Sequence, residues 1–170
     1  MNQPSFEIVR AQPEDAAALL DYLKIIGGET DNLSFGPEGV PLDVEEERSY
    51  LRMQAQSQDC IQLLAKVNGE IIGTASLNRK RDRMGHRAEF GISLKKAWWG
   101  CGAASVLARG VLAFARESGA EQVNLEVRSD NKRAIALYKK LGFVEYGRNP
   151  RGFRKRNGDY QELVYMRVEL

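Results

Sequence analysis

A single mixed α/β domain over residues 1–170, a central sheet with helices on its faces, is the fold class this sequence predicts. Three observations predict it. Asn68-Gly69 joins two β-rich runs, Cys60–Val67 and Glu70–Leu77, and Asn-Gly is the strongest short hairpin signal because both residues tolerate positive φ. In the next run Ala88, Phe90, Ile92 and Leu94 alternate with Glu89, Gly91 and Ser93, which is the period of a strand. That strand feeds a turn punctuated by Gly100 and Gly102, after which apolar residues recur at helical spacing from Ala103 to Phe114. Gln122–Val127 is a strand again, and a helical crossover between two strands implies parallel pairing.

The full order is β-α-α-β-β-β-α-β-α-β-β. Phe6–Arg10 is the first strand. Pro13 starts a helix with Glu14 and Asp15 in its first turn, where a fixed φ and negative charge are both favoured. This helix runs through Leu19, Leu20 and Leu23 and is expected to stop at Gly27-Gly28. Glu29–Leu42, with Gly36, Pro37, Gly39 and Pro41, reads as loop. Asp43 caps a second helix that carries Glu45, Glu46 and Glu47 in its first turn and reaches about Ser57. The hairpin follows, then a basic stretch, Arg79–Arg83, leads into the Ala88–Leu94 strand, giving three successive antiparallel strands. Gly119 is placed to end the central helix as its C-terminal cap. Asp130 is expected to cap a helix through Ala134, Ile135, Leu137 and Tyr138 that stops at Gly142. Phe143–Tyr146 begins a strand, a glycine-rich basic loop is expected up to Asp159, and Leu163–Val168 closes the sheet.

The bulk properties exclude several classes. Hydrophobic residues at 43% and charged residues at 28% are ordinary for a soluble globular chain. A net charge of +2 gives no argument for nucleic acid. Cys60 and Cys101 lie far apart, and His86 is the one histidine, so neither a zinc framework nor a disulfide scaffold is indicated and no metal is expected. The segment Met1–Glu7 has neither a basic leader nor an apolar core, and no apolar run approaches the ~20 residues of a membrane span. The expected setting is cytoplasmic.

The strand–turn–helix between Glu89 and Leu107 concentrates the chemistry. A glycine turn that opens a helix aims unpaired N–H groups and the positive end of the helix dipole at one point, which holds phosphate without a lysine or metal. The P-loop pattern GxxxxGK[ST] is absent, and the dinucleotide pattern GxGxxG fails at Ser105. The run Leu94-x-x-x-Trp98-Trp99-Gly100-Cys101-Gly102-Ala103-Ala104 instead resembles the acetyl-CoA loop of the GCN5-related N-acetyltransferases (GNAT). Asn131-Lys-Arg-Ala-Ile-Ala-Leu-Tyr-Lys-Lys-Leu-Gly-Phe143 is similar to that family's N-x-x-A-x-x-L-Y-x-x-x-G-F segment, and the layout agrees from about Phe6 to the C-terminus. One position departs: Ala97 stands where the family usually carries Gln or Arg, which implies weakened or rearranged binding there.

The resemblance implies a GNAT-like fold, a mostly antiparallel sheet with one splayed parallel pair and about four flanking helices. It implies acetyl-CoA as co-substrate, its pyrophosphate on the N–H groups of Gly100, Cys101, Gly102, Ala103 and Ala104 with Trp99 beside them. The pantetheine arm would lie along Ile92 and Leu94 like an added strand, near Asn131, Ala134 and Tyr138. The implied activity is acetyl transfer to a primary amine, of a small molecule or a protein N-terminus or lysine, by direct attack. A non-catalytic acyl-CoA sensor or a structural dimer with the same fold is the alternative, and RNA binding through the basic loops is a third. A homodimer through the C-terminal strands is also implied.

Tyr138 takes the family's general-acid place, since a phenol can protonate a departing thiolate of comparable basicity; otherwise it is a core aromatic. Glu89, on the face of Gly91 and Ser93, is the candidate base, with Glu126 second and a salt-bridged strand glutamate as the bland alternative. Asn131 either holds pantetheine or starts its helix. Cys101 reads as a small turn residue, because a catalytic thiol would need a histidine and His86 lies in a surface turn. One of Trp98 and Trp99 is expected to pack the helix onto the sheet. The basic groups around Arg79–Arg87 and Arg148–Arg156 read as solvated loops or as sites for the 3′-phosphate or an acidic acceptor. The acceptor pocket is expected from the first two helices and the 29–42 and 148–159 loops.

Overall fold

The computed structural model describes residues 5–170; Met1–Pro4, which carry part of the leader argument, lie outside the described residues. The chain runs β1 (Glu7–Arg10), α1 (Ala16–Glu29), α2 (Val44–Gln56), β2 (Cys60–Val67), β3 (Glu70–Arg79), β4 (Arg87–Leu94), α3 (Ala103–Glu117), β5 (Gln122–Arg128), α4 (Lys132–Lys140), β6 (Val144–Arg154) and β7 (Tyr160–Glu169). The strands form one seven-stranded sheet in the order β1-β2-β3-β4-β5-β7-β6. Every pairing is antiparallel except β4 with β5.

The predicted local signals act as expected where they are strong. Asn68 and Gly69 both take positive φ, 49° and 82°, as a tight hairpin requires. Asp43 forms a reciprocal capping box with Glu46, each side chain accepting from the other's backbone N–H at 2.9 and 2.8 Å. The α3 stripe Ala103, Leu107, Ala108, Val111, Leu112 and Ala115 is buried at helical spacing against one face of the sheet. On the other face α1 and α2 bury Leu19, Tyr22, Ile26 and Leu51 against Leu64 and Ile71.

Three expectations are corrected. Helix α1 does not stop at Gly27-Gly28 but continues to Glu29. Gly27 is there for a close approach: a Cβ on it would lie 1.9 Å from the Gly36 carbonyl oxygen. The cap of α4 is Asn131, whose Oδ1 accepts from Ala134 N–H at 3.3 Å, because Asp130 is engaged by Arg128 instead. The basic stretch after Tyr146 is not a loop but the continuation of β6 to Arg154, and only 155–159 turns. Its glycines, proline and arginines resemble loop composition because an edge strand tolerates all three: bulges interrupt the register at Glu145/Gly147 and Asn149/Phe153, and charge blunts the open edge.

The sheet opens at its centre. Strands β4 and β5 pair only over Arg87↔Gln122, Ala88↔Val123 and Glu89↔Asn124. Beyond that point β4 stays bonded to β3 as far as Leu94, and β5 to β7 as far as Arg128. The inner edges of both strands therefore face a wedge. Among the described residues no helix is long and apolar enough to cross a membrane.

Candidate active site at the split between the parallel strands

The turn before α3 has the geometry of an anion cradle. Gly100 and Gly102 sit at φ 83° and 90°, where L-residues are strained, and a Cβ on either would meet nothing within 4 Å. Gly102 is the N-cap of α3 and supplies no side-chain partner. Among the described residues the N–H groups of Gly102, Ala103, Ala104 and Ser105 have no hydrogen-bond partner, so they and the dipole of a 15-residue helix point outward together. Ala103 is fully buried and offers backbone rather than a side chain, whereas Cys101 packs toward the core and its N–H, expected to face phosphate, already donates to the Trp98 carbonyl at 3.5 Å. Cys60 and Cys101 are both free thiols. Among the described residues no cluster of His, Cys, Asp or Glu is grouped to hold a metal ion.

A cleft of about 610 Å³ runs from this turn through the wedge. Its first half is lined by Ile92, Leu94, Trp99, Gly100 and Ala104 on one side and by Asn131, Ala134, Leu137 and Tyr138 of α4 on the other. Trp98 packs on the core, while the Trp99 indole donates to the Leu94 carbonyl at 2.9 Å. That bond occupies one backbone acceptor expected to pair with a ligand arm. Arg133, a residue with no role assigned from sequence, also lines the cleft, its guanidinium 4.9 Å from the centre of the Trp99 ring. Ala97, where the family usually carries Gln or Arg, is exposed in the short turn before Trp99 and does not line the cleft, whereas Arg133 does. The only sequence signal for it was an arginine one turn inside the Asn131 segment.

Tyr138 is 7% exposed and stands in an aromatic group with Phe90 and Phe143, the Phe90 ring edge-on at 6.0 Å. Burial pushes its hydroxyl above the usual phenol range. It is therefore a neutral donor at physiological pH and cannot serve as a base.

The second half of the cleft emerges on the α1 face. Gln62, Thr74, Ser76 and Ser93 supply neutral polar groups, and Leu23, Ile26, Leu33 and Phe35 an apolar wall. Ser93 Oγ and the buried Tyr22 hydroxyl share a hydrogen bond at 3.0 Å. Glu89 does not line the cleft: it sits in the last bridged register with Asn124, and its carboxylate lies 3.4 Å from Lys80. Glu126 does line it, exposed and without an ion-pair partner among the described residues. Glu126 lies two residues past Asn124, where the pairing ends, and that separates its environment from that of Glu89. Of the elements expected to form the acceptor pocket, α1 and the 29–42 loop line this half through Leu23, Ile26 and Leu33–Phe35. The 148–159 stretch lines it through Phe153 on β6 rather than from a loop, Leu163 of β7 is added, and among the described residues α2 contributes none.

The sequence matches the model of the acetyltransferase (GNAT) family over residues 30–143. The chain belongs to that family. An acetyltransferase of the GNAT family from Streptococcus pneumoniae, solved by crystallography, superposes with a TM-score of 0.94 at 33% identity, covering 98% of this chain and all of that one. The L-amino acid N-acetyltransferase AaaT of Escherichia coli K12 is 34% identical over 107 residues, which is 62% of this chain and 65% of the relative. The structure of yncA from Salmonella typhimurium with its cofactor acetyl-CoA shares the fold, with a TM-score of 0.84 at 22% identity and coverage of 97% of this chain and 94% of that one. The GNAT residues of this chain fit an acyl-CoA ligand on their own geometry. A cradle of unused N–H groups, an open parallel pair and a buried phenol lie along one cleft.

Proposed function

We propose that the protein is an acetyl-CoA-dependent N-acetyltransferase that acts on a primary amine by direct attack. The observation that carries this reading is the wedge between β4 and β5, which joins the anion cradle on one face of the sheet to the Glu126 pocket on the other. Acetyl-CoA, when bound, supplies the thioester carbonyl that is attacked and the thiolate that leaves. The N–H groups of Gly102–Ser105 and the Arg133 guanidinium hold its phosphates, and the free edge of β4 receives the arm. Tyr138 donates its hydroxyl proton to the departing sulfur.

Glu126 replaces Glu89 as the group that meets the acceptor. Its carboxylate attracts an ammonium into the cleft and takes one proton from it, directly or through a water, leaving the neutral amine that attacks. The second proton leaves that nitrogen once the C–N bond has formed and offsets the one Tyr138 gives to sulfur. Glu89, held toward Lys80, contributes to the strand pairing rather than to the proton path.

Thiol release from acetyl-CoA across a panel of amines, small amines and peptides both, tests the reading. Tyr138→Phe and Glu126→Gln should each lower turnover at least tenfold with acetyl-CoA affinity held within threefold, and Glu89→Gln should change turnover less than threefold. Binding of acetyl-CoA with no turnover on any amine would replace the enzyme by an acyl-CoA sensor of the same fold. A Glu89→Gln loss larger than that of Glu126→Gln would return the base to β4.

A further inference from the structure

The buried guanidinium of Arg128 touches both halves of the cleft. On the cofactor side Nε and Nη2 form a fork on the Asp130 carboxylate at 3.0 and 2.7 Å. Asp130 lies in the turn that delivers Asn131, the α4 cap, and Asn131 N–H donates to the Arg128 carbonyl at 3.0 Å. On the acceptor side the remaining nitrogen, Nη1, donates to the Asp31 carbonyl at 2.6 Å. Asp31 leads directly into Leu33–Phe35, the apolar wall of the acceptor pocket. The guanidinium also stacks over Phe153, 5.2 Å from the ring centre.

With its side chain only 8% exposed, Arg128 is an expensive way to fill space. A buried ion pair is commonly no better for stability than apolar residues of the same volume. A planar fork does what an apolar residue does not: it fixes the relative orientation of two groups. Resting on the acetyltransferase reading above, we propose that Arg128 is a positioning residue that transmits occupation of the cofactor half to the acceptor wall. When a ligand settles against Asn131 and α4, the 129–131 turn is held, the Asp130 fork is held with it, and Nη1 fixes Asp31 and the segment that follows. The acceptor wall, already shaped in this structure, is then held more firmly once acetyl-CoA is in place. Arg156, in the turn between β6 and β7, holds the Gly27 carbonyl of α1 and Asp31 Oδ1 (3.3 Å), and among the described residues it has no hydrogen bond or ion pair to α4.

Amide hydrogen exchange over residues 30–38, with and without acetyl-CoA, tests this, with acetyl-CoA affinity measured separately by calorimetry. In the unmodified protein acetyl-CoA should slow exchange there at least threefold. Arg128→Met should abolish that slowing while acetyl-CoA affinity stays within threefold. Asp130→Asn, at a position where the side chain is 46% exposed and the fold is less at risk, should reduce it in the same sense and decides the matter if Arg128→Met does not fold. Arg156→Gln should speed exchange with and without ligand and leave the ratio unchanged. Slowing that persists in Arg128→Met or Asp130→Asn would mean that the ligand touches the wall directly, and overturns the proposal. Binding of acetyl-CoA to the unmodified protein without slowing overturns this inference alone. Failure of acetyl-CoA to bind at all overturns the acetyltransferase reading and this inference with it.

Discussion

Gly27→Ala is a perturbation whose sign distinguishes two explanations of one glycine. If Gly27 merely weakens the end of a helix, alanine should stabilise by up to about 1 kcal/mol through helix propensity. The structure requires the opposite. A Cβ at residue 27 would lie 1.9 Å from the Gly36 carbonyl oxygen and 2.5 Å from its carbon, both backbone atoms that no rotamer change can remove. Since Cβ contacts below 3.0 Å essentially do not occur, the 36 carbonyl must retreat by about 1.1 Å even to reach that limit. The segment that must move is anchored at Asp31 by Arg128 and Arg156. Losing one hydrogen bond to a charged group costs about 1.5–3 kcal/mol. After the propensity gain, a net loss of roughly 0.5–2 kcal/mol remains, or a fall in Tm of about 1–8 °C for a chain of this size. Thermal unfolding followed by circular dichroism reads it directly. Gly28→Ala is the matched control, because its Cβ would meet only the Pro37 Cβ at an ordinary 3.6 Å, and its Tm should hold or rise. A rise in Tm for Gly27→Ala would refute the close-approach argument.

Two other substitutions report on the site and the core. Gly102→Ala keeps a φ near 90° that alanine adopts at a cost of about 1 kcal/mol, and its methyl meets no protein atom, so stability should fall slightly while acetyl-CoA affinity drops about tenfold; unchanged affinity by calorimetry would remove the anion cradle from this turn. Glu47, 4% exposed on the sheet-facing side of α2, has its carboxyl pushed above the ordinary range by desolvation. The folded state thus binds its proton more tightly than the unfolded state, so its favourable contribution is present below about pH 4.3 and is lost as pH rises through the folded value. Glu47→Gln should flatten that decline and raise Tm at pH 7, and a pH–stability curve that does not change in slope would contradict it.

Legibility from sequence tracked the range of the interaction involved. Asn68-Gly69, the Asp43 cap and Gly119 at φ 79° are decided by contacts within a few residues, and each is readable from the sequence. The α4 cap was misplaced by one residue because Asp130 and Asn131 are equally competent caps in isolation. Only Arg128, brought across the 128–131 turn, takes the carboxylate away. The strand β6 was hidden for a related reason: its partner β7 lies beyond the Lys155–Asp159 turn, and its own composition is that of a loop. Gly27 looked like a helix stop because the atom it must avoid, the Gly36 carbonyl, belongs to a segment that folds back onto it.

By itself the sequence determined the strand–turn–helix with its glycines, the α3 stripe, the Asn131–Phe143 segment and, through their combination, the family. Each of these is written in spacing and in residue-level φ preference, which act locally. Only the tertiary structure decided where the parallel pair comes apart, and with it that Glu126 rather than Glu89 reaches the cleft. It also decided that Arg133 stands over Trp99 and that Arg128 spans from Asp130 to Asp31. Those are encounters between segments distant in the chain, set by how far β3 holds β4 and β7 holds β5, and no single stretch of sequence contains them.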